Sequence, residues 1–202
     1  MARKTKQDAQ ITRNAILDAA EIVFYEKGVA AARLEDIARA AGVTRGALYW
    51  HFENKPAIFC AMHERLPCDQ HETFLAELEK TTDPLRLFED YCVQFLHDLE
   101  DDEQMRRVFN IMILKCDYSG DMAAFRERQN RQRDELMEVF TAAFSRMREQ
   151  GQMNKSLEPE NAALSLFCYM TGIITIFAQQ EGAIHMKKQA RPLLRQFLNG
   201  LK

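Results

Sequence analysis

Between Leu34 and Lys55 the chain reads LEDIARAAGVTRGALYWHFENK, a segment punctuated as two short helices meeting at a tight turn. Leu34, Ile37, Ala38 and Ala41 recur at the i, i+3, i+4, i+7 spacing of one helical face. Gly42 ends that helix, because glycine accepts the left-handed backbone that follows a helix C-terminus. Val43 can plug the corner, and Thr44 offers a side-chain oxygen as N-cap of the next helix. In that second helix Leu48 and Phe52 lie one turn apart and face inward. Thr44, Arg45, Tyr49 and His51 then face outward, beside the small residues Gly46 and Ala47. The spacing predicts a helix-turn-helix.

The outward set suits DNA. Small residues let a helix backbone approach a groove closely, Arg45 can donate two hydrogen bonds to a guanine edge, and hydroxyl or imidazole groups suit phosphate oxygens. Lys55, near the start of the following helix, adds charge beside free backbone N–H groups that favour an anion. Tyr49, Trp50 and Phe52 are also what the core of a small helical protein would contain, and spacing alone leaves both readings open.

The stretch from about Lys4 to Met62 resembles the N-terminal domain of the TetR family of bacterial one-component repressors. The resemblance rests on Thr12–Arg13, ILDAAEIVF at Ile16 to Phe24, the KGV turn at Lys27 to Val29, LEDIARAAGVTRGALYWHF at Leu34 to Phe52, and Lys55. The opening MARKTKQDAQ and the GVTRGALYWHF core are most similar to the subgroup that represses multidrug efflux pumps. The resemblance implies an all-α protein of about nine helices, with a DNA-binding domain over residues 1–54 and a ligand-binding and dimerisation bundle over 55–202. It implies that Thr44, Tyr49, His51 and Lys55 hold phosphates, and that Arg45, with Gly46 and Ala47, forms the base-reading end. Trp50 would lie part buried and part against the sugar-phosphate backbone. Ala32–Arg33 departs from the Thr or Ser pair that many relatives carry before Leu34. Losing that hydroxyl cap typically costs about 1 kcal/mol, and Arg33 can replace its phosphate contact with a more salt-dependent one.

Composition agrees with an all-α chain: 202 residues at 47% hydrophobic content can bury one or two helical domains, and eight Gly and five Pro are too few for a turn-rich β protein. Residues 1–55 carry nine basic and seven acidic side chains, net +2, and the remainder is net −5, so the positive end is the proposed DNA end. Arg3, Lys4, Lys6 and Arg13 form a basic arm suited to phosphate or minor-groove contacts, or simply to water. No apolar leader precedes them, and the run Leu164 to Ala178 is interrupted by polar residues and shorter than a membrane span. A cytoplasmic protein with no membrane partner is expected.

Beyond Met62 helical periodicity continues. Asp83–Pro84 is an N-cap followed by an N1 proline, with Leu85, Phe88, Cys92, Phe95 and Leu99 on one face. Asp101–Asp102 open the next helix, with Met105, Val108, Phe109, Met112 and Ile113 inward, and Ser119 to Asp121 separate it from a long helix ending near Gly151. Pro159 opens an eighth helix that is apolar nearly all round, and a last helix carries Leu194, Phe197, Leu198 and Leu201. A helix apolar on most sides is buried on most sides. A homodimer is therefore expected through Leu166, Met170, Ile173 and Ile174 together with those four residues of the last helix; a monomer enclosing the eighth helix is the alternative.

Candidates for a ligand pocket are Phe88, Tyr91, Phe95, Met112, Cys116, Phe125, Phe144, Met170 and Phe177, each of which also suits the core. Ten Met and thirteen Phe favour an adaptable apolar cavity. Within the polar run Arg126 to Glu135, Gln129 and Gln132 fall on the line from Phe125 to Leu136 and Val139, where apolar residues are expected; they line a wet cavity or are solvated. The expected partners are double-stranded operator DNA, a small hydrophobic or amphipathic inducer and a second copy of the chain. No cofactor is expected. Five cysteines without a CxxC pair read as free thiols. Cys60, His63, Cys68 and His71 offer zinc donors within twelve residues, but Pro67 interrupts their helix, so no metal site is expected. A redox or metal response, or a ligand-binding scaffold with a vestigial helix-turn-helix, are the alternatives. His63–Glu64 lacks the second histidine of HExxH, and no phosphate loop or nucleophile elbow occurs, so no enzyme is expected.

Overall fold

The computed structural model describes residues 6–66, 71–180 and 182–202, apart from the side chains of Asp121 and Ala124. Among the described residues there are ten α-helices and no strand: α1 Lys6–Lys27, α2 Leu34–Ala40, α3 Arg45–His51, α4 Lys55–His63, α5 His71–Leu78, α6 Pro84–Asp101, α7 Glu103–Asn110, α8 Ala123–Glu149, α9 Pro159–Gln179 and α10 Met186–Asn199. A π-helical turn, Ile111–Lys115, extends α7, and a 3₁₀ turn, Gly120–Met122, leads into α8. α4 ends at His63 and α5 begins at His71. Capping places the starts: the Asn54 side chain accepts from Ala57 N–H at 2.9 Å, and Asp83 accepts from Arg86 N–H at 3.2 Å, each just before a proline in the first turn.

Two compact units result. The first comprises residues through Leu66 together with Arg107–Arg128, the second the remainder. The expected boundary after residue 54 thus falls inside the first unit, which includes α4 and the segment from Arg107 to Arg128.

The first unit closes around Ile16, Leu17, Phe24, Ile37, Leu48, Ile58, Phe59, Met62 and Phe125, all fully buried. The Phe59 ring stands edge-on to Phe125 at 4.6 Å between centroids and tilted on Phe24 at 5.7 Å. Glu21, 2% exposed, faces Arg65 at 3.8 Å and Arg107 at 3.7 Å, and Arg65 also reaches Asp18 at 2.6 Å. A carboxylate this deep persists only with such partners. Met105, Val108 and Ile111 form the buried face around the end of α7; Phe109, expected inward, is half-buried, and so are Met112 and Ile113, which lie in the π-helical turn. For those two the turn is the reason, since it departs from the 3.6-residue period on which the inward expectation rested.

In the second unit Phe88 is fully buried and stands edge-on to Phe140 and Phe144, each at 5.2 Å, with Phe74 tilted on it at 5.8 Å. α10 packs along α6 across an ion cluster centred on one buried carboxylate. Glu89, 5% exposed, accepts from Arg191 at 2.5 Å and from Arg195 at 2.9 and 3.1 Å, while Arg191 also pairs with Asp90 at 2.7 Å. α9 is 21 residues long with a mean hydropathy of 1.6 over its most apolar window, one third of which is buried. By length and composition alone it could cross a bilayer, a test that the core helix of a soluble protein also passes, and it extends beyond the run Leu164–Ala178.

Candidate nucleic-acid interface

The turn between α2 and α3 is closed by two backbone hydrogen bonds: Gly42 N–H donates to Arg39 O at 3.2 Å and Val43 N–H to Ala38 O at 3.0 Å. With Gly42 at φ +65°, this is a Schellman termination, and a side chain there would be strained by the backbone alone, since nothing crowds the position. Thr44 then caps α3 as expected, its hydroxyl oxygen accepting from Ala47 N–H at 3.1 Å. Leu48 and Phe52 are buried beneath α3, and the Arg13 guanidinium lies 5.1 Å above the Phe52 ring. α3 therefore presents Thr44, Arg45, Gly46, Tyr49 and Trp50 exposed, with Ala47 and His51 half-buried at the margin. Trp50 differs from its expected half-burial: it is 73% exposed, with its ring edge-on to His51 at 4.5 Å.

Arg45 is held from two sides. Its Nη1 lies 3.0 Å from Glu35 Oε1, and its Nη2 donates to Tyr49 Oη at 3.4 Å, with the guanidinium 5.4 Å from the Tyr49 ring centroid. The Tyr49 hydrogen bond, then the Glu35 charge, hold the guanidinium above its ordinary pKa. The neighbouring Asp36 turns elsewhere. It pairs with Lys27 at 3.0 Å, which is the main reason its carboxyl sits below the usual range, and accepts from Arg33 N–H at 3.3 Å. Because a guanidinium has no acceptor, Arg33 cannot return that bond, and α2 keeps only this half of a capping box.

Lys55 is engaged within the fold. Its ammonium donates to the carbonyls of Val29 at 2.7 Å, Ala30 at 3.1 Å and Ala32 at 3.0 Å, so all three protons are engaged by the turn before α2. Val29 N–H in turn donates to Lys115 O at 2.9 Å. A phosphate at Lys55 would have to displace one of these bonds. Lys6 is exposed in the first turn of α1, as Arg33 is before α2, while Arg3 and Lys4 lie outside the described residues.

The ligand candidates fall in both units. Met112, Cys116 and Phe125 belong to the first unit, and Phe88, Tyr91, Phe95, Gln129, Gln132, Phe144, Met170 and Phe177 to the second. Phe88, Phe125 and Phe144 are fully buried against other rings, as core residues are. Tyr91 Oη lies 2.7 Å from His71 Nδ1. Gln129 and Gln132 are half-buried on α8, while Arg126, Arg131 and Arg133 are exposed. A shallow depression of about 200 Å³ in the second unit is lined by Ser156, Leu157, Glu158, Asn161, Ala162, Ser165 and Leu201, of which only Leu201 had been singled out, for another role.

The dimer candidates differ in their exposure. Leu166, Met170, Ile173, Leu194 and Leu198 are buried within a single copy, and only Ile174, Phe197 and Leu201 remain half-buried. The apolar side of α9 left outward carries Leu164, Cys168 and Ile176. Of the thiol and imidazole residues, Cys60 and His63 belong to the first unit and His71 to the second, while Cys68 lies outside the described residues. Among the described residues no group of three or more His, Cys, Asp or Glu could hold a metal. Burial pushes the thiols of Cys60, Cys92 and Cys116 up, that of Cys116 to about 11, away from the reactive thiolate.

A Schellman-closed turn followed by a capped helix with a polar outer face defines a helix-turn-helix transcriptional regulator. Residues 16–62 match the bacterial regulatory proteins of the tetR family, and residues 83–202 the C-terminal region of MAATS-type transcriptional repressors. The chain is 37% identical over 175 residues to the HTH-type transcriptional regulator TtgR of Pseudomonas putida, covering 86% of this chain and 83% of that one. The crystal structure of NalD, the secondary repressor of the MexAB-OprM multidrug efflux pump in Pseudomonas aeruginosa, superposes with a TM-score of 0.88 at 34% identity, covering 97% and 98% of the two chains. SmeT, the repressor of the Stenotrophomonas maltophilia pump SmeDEF, matches in its triclosan complex at a TM-score of 0.79 and 32% identity over 96% and 93%. The chain belongs to the tetR family.

Proposed function

We propose that this regulator is a ligand-relieved repressor that binds a pseudo-palindromic operator as a dimer and controls a multidrug efflux pump or its own gene. The observation that carries the DNA reading is the outer face of α3. Trp50 is 73% exposed, and a Cβ at Gly46 would meet nothing nearer than Thr44 Oγ1 at 4.0 Å. No internal contact demands glycine there or explains an exposed indole, whereas close approach to a duplex accounts for both. Thr44, Arg45, Gly46, Ala47, Tyr49, Trp50 and His51 form the proposed interface, with Arg33 and Lys6 flanking it on the phosphates and Lys55 holding the turn behind it.

The outward apolar side of α9, with Leu164, Cys168 and Ile176, supports a second copy there. A two-fold dimer would set two recognition helices one duplex turn, roughly 34–36 Å, apart or a multiple of it, hence the operator symmetry. Residues 55–202 carry the ligand and dimer functions, although α4 packs with the DNA-binding helices. The efflux-pump roles of NalD and SmeT, and the triclosan bound to SmeT, support a small hydrophobic or amphipathic inducer. The half-buried Tyr91, Phe95, Gln129, Gln132 and Phe177 are the side chains best suited to meet it. Release follows if the inducer binds the operator-incompetent arrangement more tightly. The protein would act on cytoplasmic DNA, without a membrane.

The test is an anisotropy titration on DNA upstream of its own gene against random DNA at fixed salt, repeated with cationic, neutral and anionic amphiphiles. Tighter binding to the upstream DNA, reversed by an amphiphile, is expected. Equal binding to both, followed by failure to enrich any sequence from a random pool, would leave the helix-turn-helix vestigial.

A further inference from the structure

We propose that Glu35 is a positioning residue for Arg45, and that it sets how strongly the interface discriminates sequence rather than how tightly it holds DNA. The inference rests on Arg45 as a base reader. Glu35 stands on α2 and Arg45 on α3, joined at 3.0 Å across the turn. Both side chains are substantially exposed, 44% and 64%, and exposed ion pairs add little to folding. The pair therefore has no strong structural purpose. It does have a geometric one.

A guanidinium offers five hydrogens. Glu35 faces Nη1 as an ion pair and Tyr49 accepts one hydrogen from Nη2, while the Tyr49 ring lies 5.4 Å from the group. Nε–H and the remaining Nη hydrogens stay available, enough for the two parallel bonds that a guanine N7 and O6 accept. Arg45 can thus read a base while still tied to Glu35. An arginine anchored beforehand loses less rotamer freedom on binding than a free one. A carboxylate on the approach surface would repel phosphates, a cost that a duplex supplying no guanine edge does not offset. Asp36, next in the chain, cannot substitute, because Lys27 and the Arg33 N–H already hold it.

The experiment is a double-mutant cycle with Glu35→Ala, Arg45→Ala and the pair, using the full chain on an operator selected from a random duplex pool and on a random duplex, across several salt concentrations. Removing one charge from the approach surface should tighten random-DNA binding about 5-fold, the effect of a close unit-charge pair in water. The operator should weaken about 3- to 10-fold, since Arg45 loses its orientation while keeping its charge. In the Arg45→Ala background, Glu35→Ala should tighten both duplexes equally. The isosteric Glu35→Gln should act in the same directions with smaller size, and none of these changes should move the thermal midpoint by more than about 2 °C. Equal tightening on both duplexes with Arg45 present would overturn the proposal, leaving Glu35 as a repelling charge only. Equal losses on both duplexes for Arg45→Ala alone would remove the base-reading assignment and this proposal with it, a distinct signature.

Discussion

Replacing Lys55 with methionine separates a phosphate contact from an internal strut. Methionine keeps most of the aliphatic stem and removes the ammonium, whose three bonds to Val29, Ala30 and Ala32 carbonyls span 2.7–3.1 Å. A hydrogen bond to a charged group contributes about 1.5–3 kcal/mol net when buried. The three share one partly exposed donor, and water can reach the exposed Ala30 once it leaves, so the contributions do not add. A total loss of about 2–3 kcal/mol is expected, which for a chain of this size lowers the thermal midpoint by about 5–10 °C. The turn before α2 should loosen, and operator affinity should fall through that loosening. The slope of log K against log salt should stay unchanged, whereas a lost phosphate contact would reduce it by about 0.9. Thermal melts and anisotropy between roughly 50 and 200 mM salt measure both quantities. A midpoint within about 1 °C of the parent together with a slope lower by about one would refute the strut and restore the phosphate role.

The Glu89 cluster should respond asymmetrically. Glu89→Ala leaves two arginines that reach water and should cost about 1–2 kcal/mol, whereas Arg191→Ala with Arg195→Ala strands a buried carboxylate and should cost about 3–5 kcal/mol by urea unfolding; the reverse order would contradict the burial argument. On α9, Leu164→Glu should yield a folded monomer by sedimentation, while Leu166→Glu should lose helicity by circular dichroism. A dimer that survives both Leu164→Glu and Ile176→Glu would remove that face as the interface. Burial, helped by the nearby Arg128 charge, holds His63 below its ordinary pKa. The unfolded chain therefore binds the proton first, so His63's contribution is complete above about pH 6.5 and is lost as pH falls through the lower folded value. His63→Gln should flatten the fall in stability below about pH 6.5, and an unchanged pH profile would assign the dependence elsewhere.

The helix-turn-helix was legible because its instructions are local. Gly42, Thr44, Leu48 and Phe52 act within ten residues of one another, and capping and periodicity operate over that range. The fate of Lys55 was not legible, because its acceptors lie 23 to 26 residues earlier and become neighbours only when the turn folds back. The Glu35–Arg45 pair was hidden for a related reason: ten residues apart across a turn, it matches no helical spacing. Met112 was assigned inward on a period that the π-helical turn interrupts.

α9 marks the division most sharply. Its apolar character on nearly every side was plain in the sequence, and with it the need for cover on every side. Which side its own chain would cover was not, because Leu166 and Leu164 are equally apolar and differ only in what packs against them. Element type, caps, breaks and family were thus determined by the order of residues, through interactions spanning one or two helical turns. The partners of Lys55, Glu89 and Arg45, and the choice between two apolar faces, were decided by tertiary structure, because distant segments must first meet before a charge has a partner or a surface an inside.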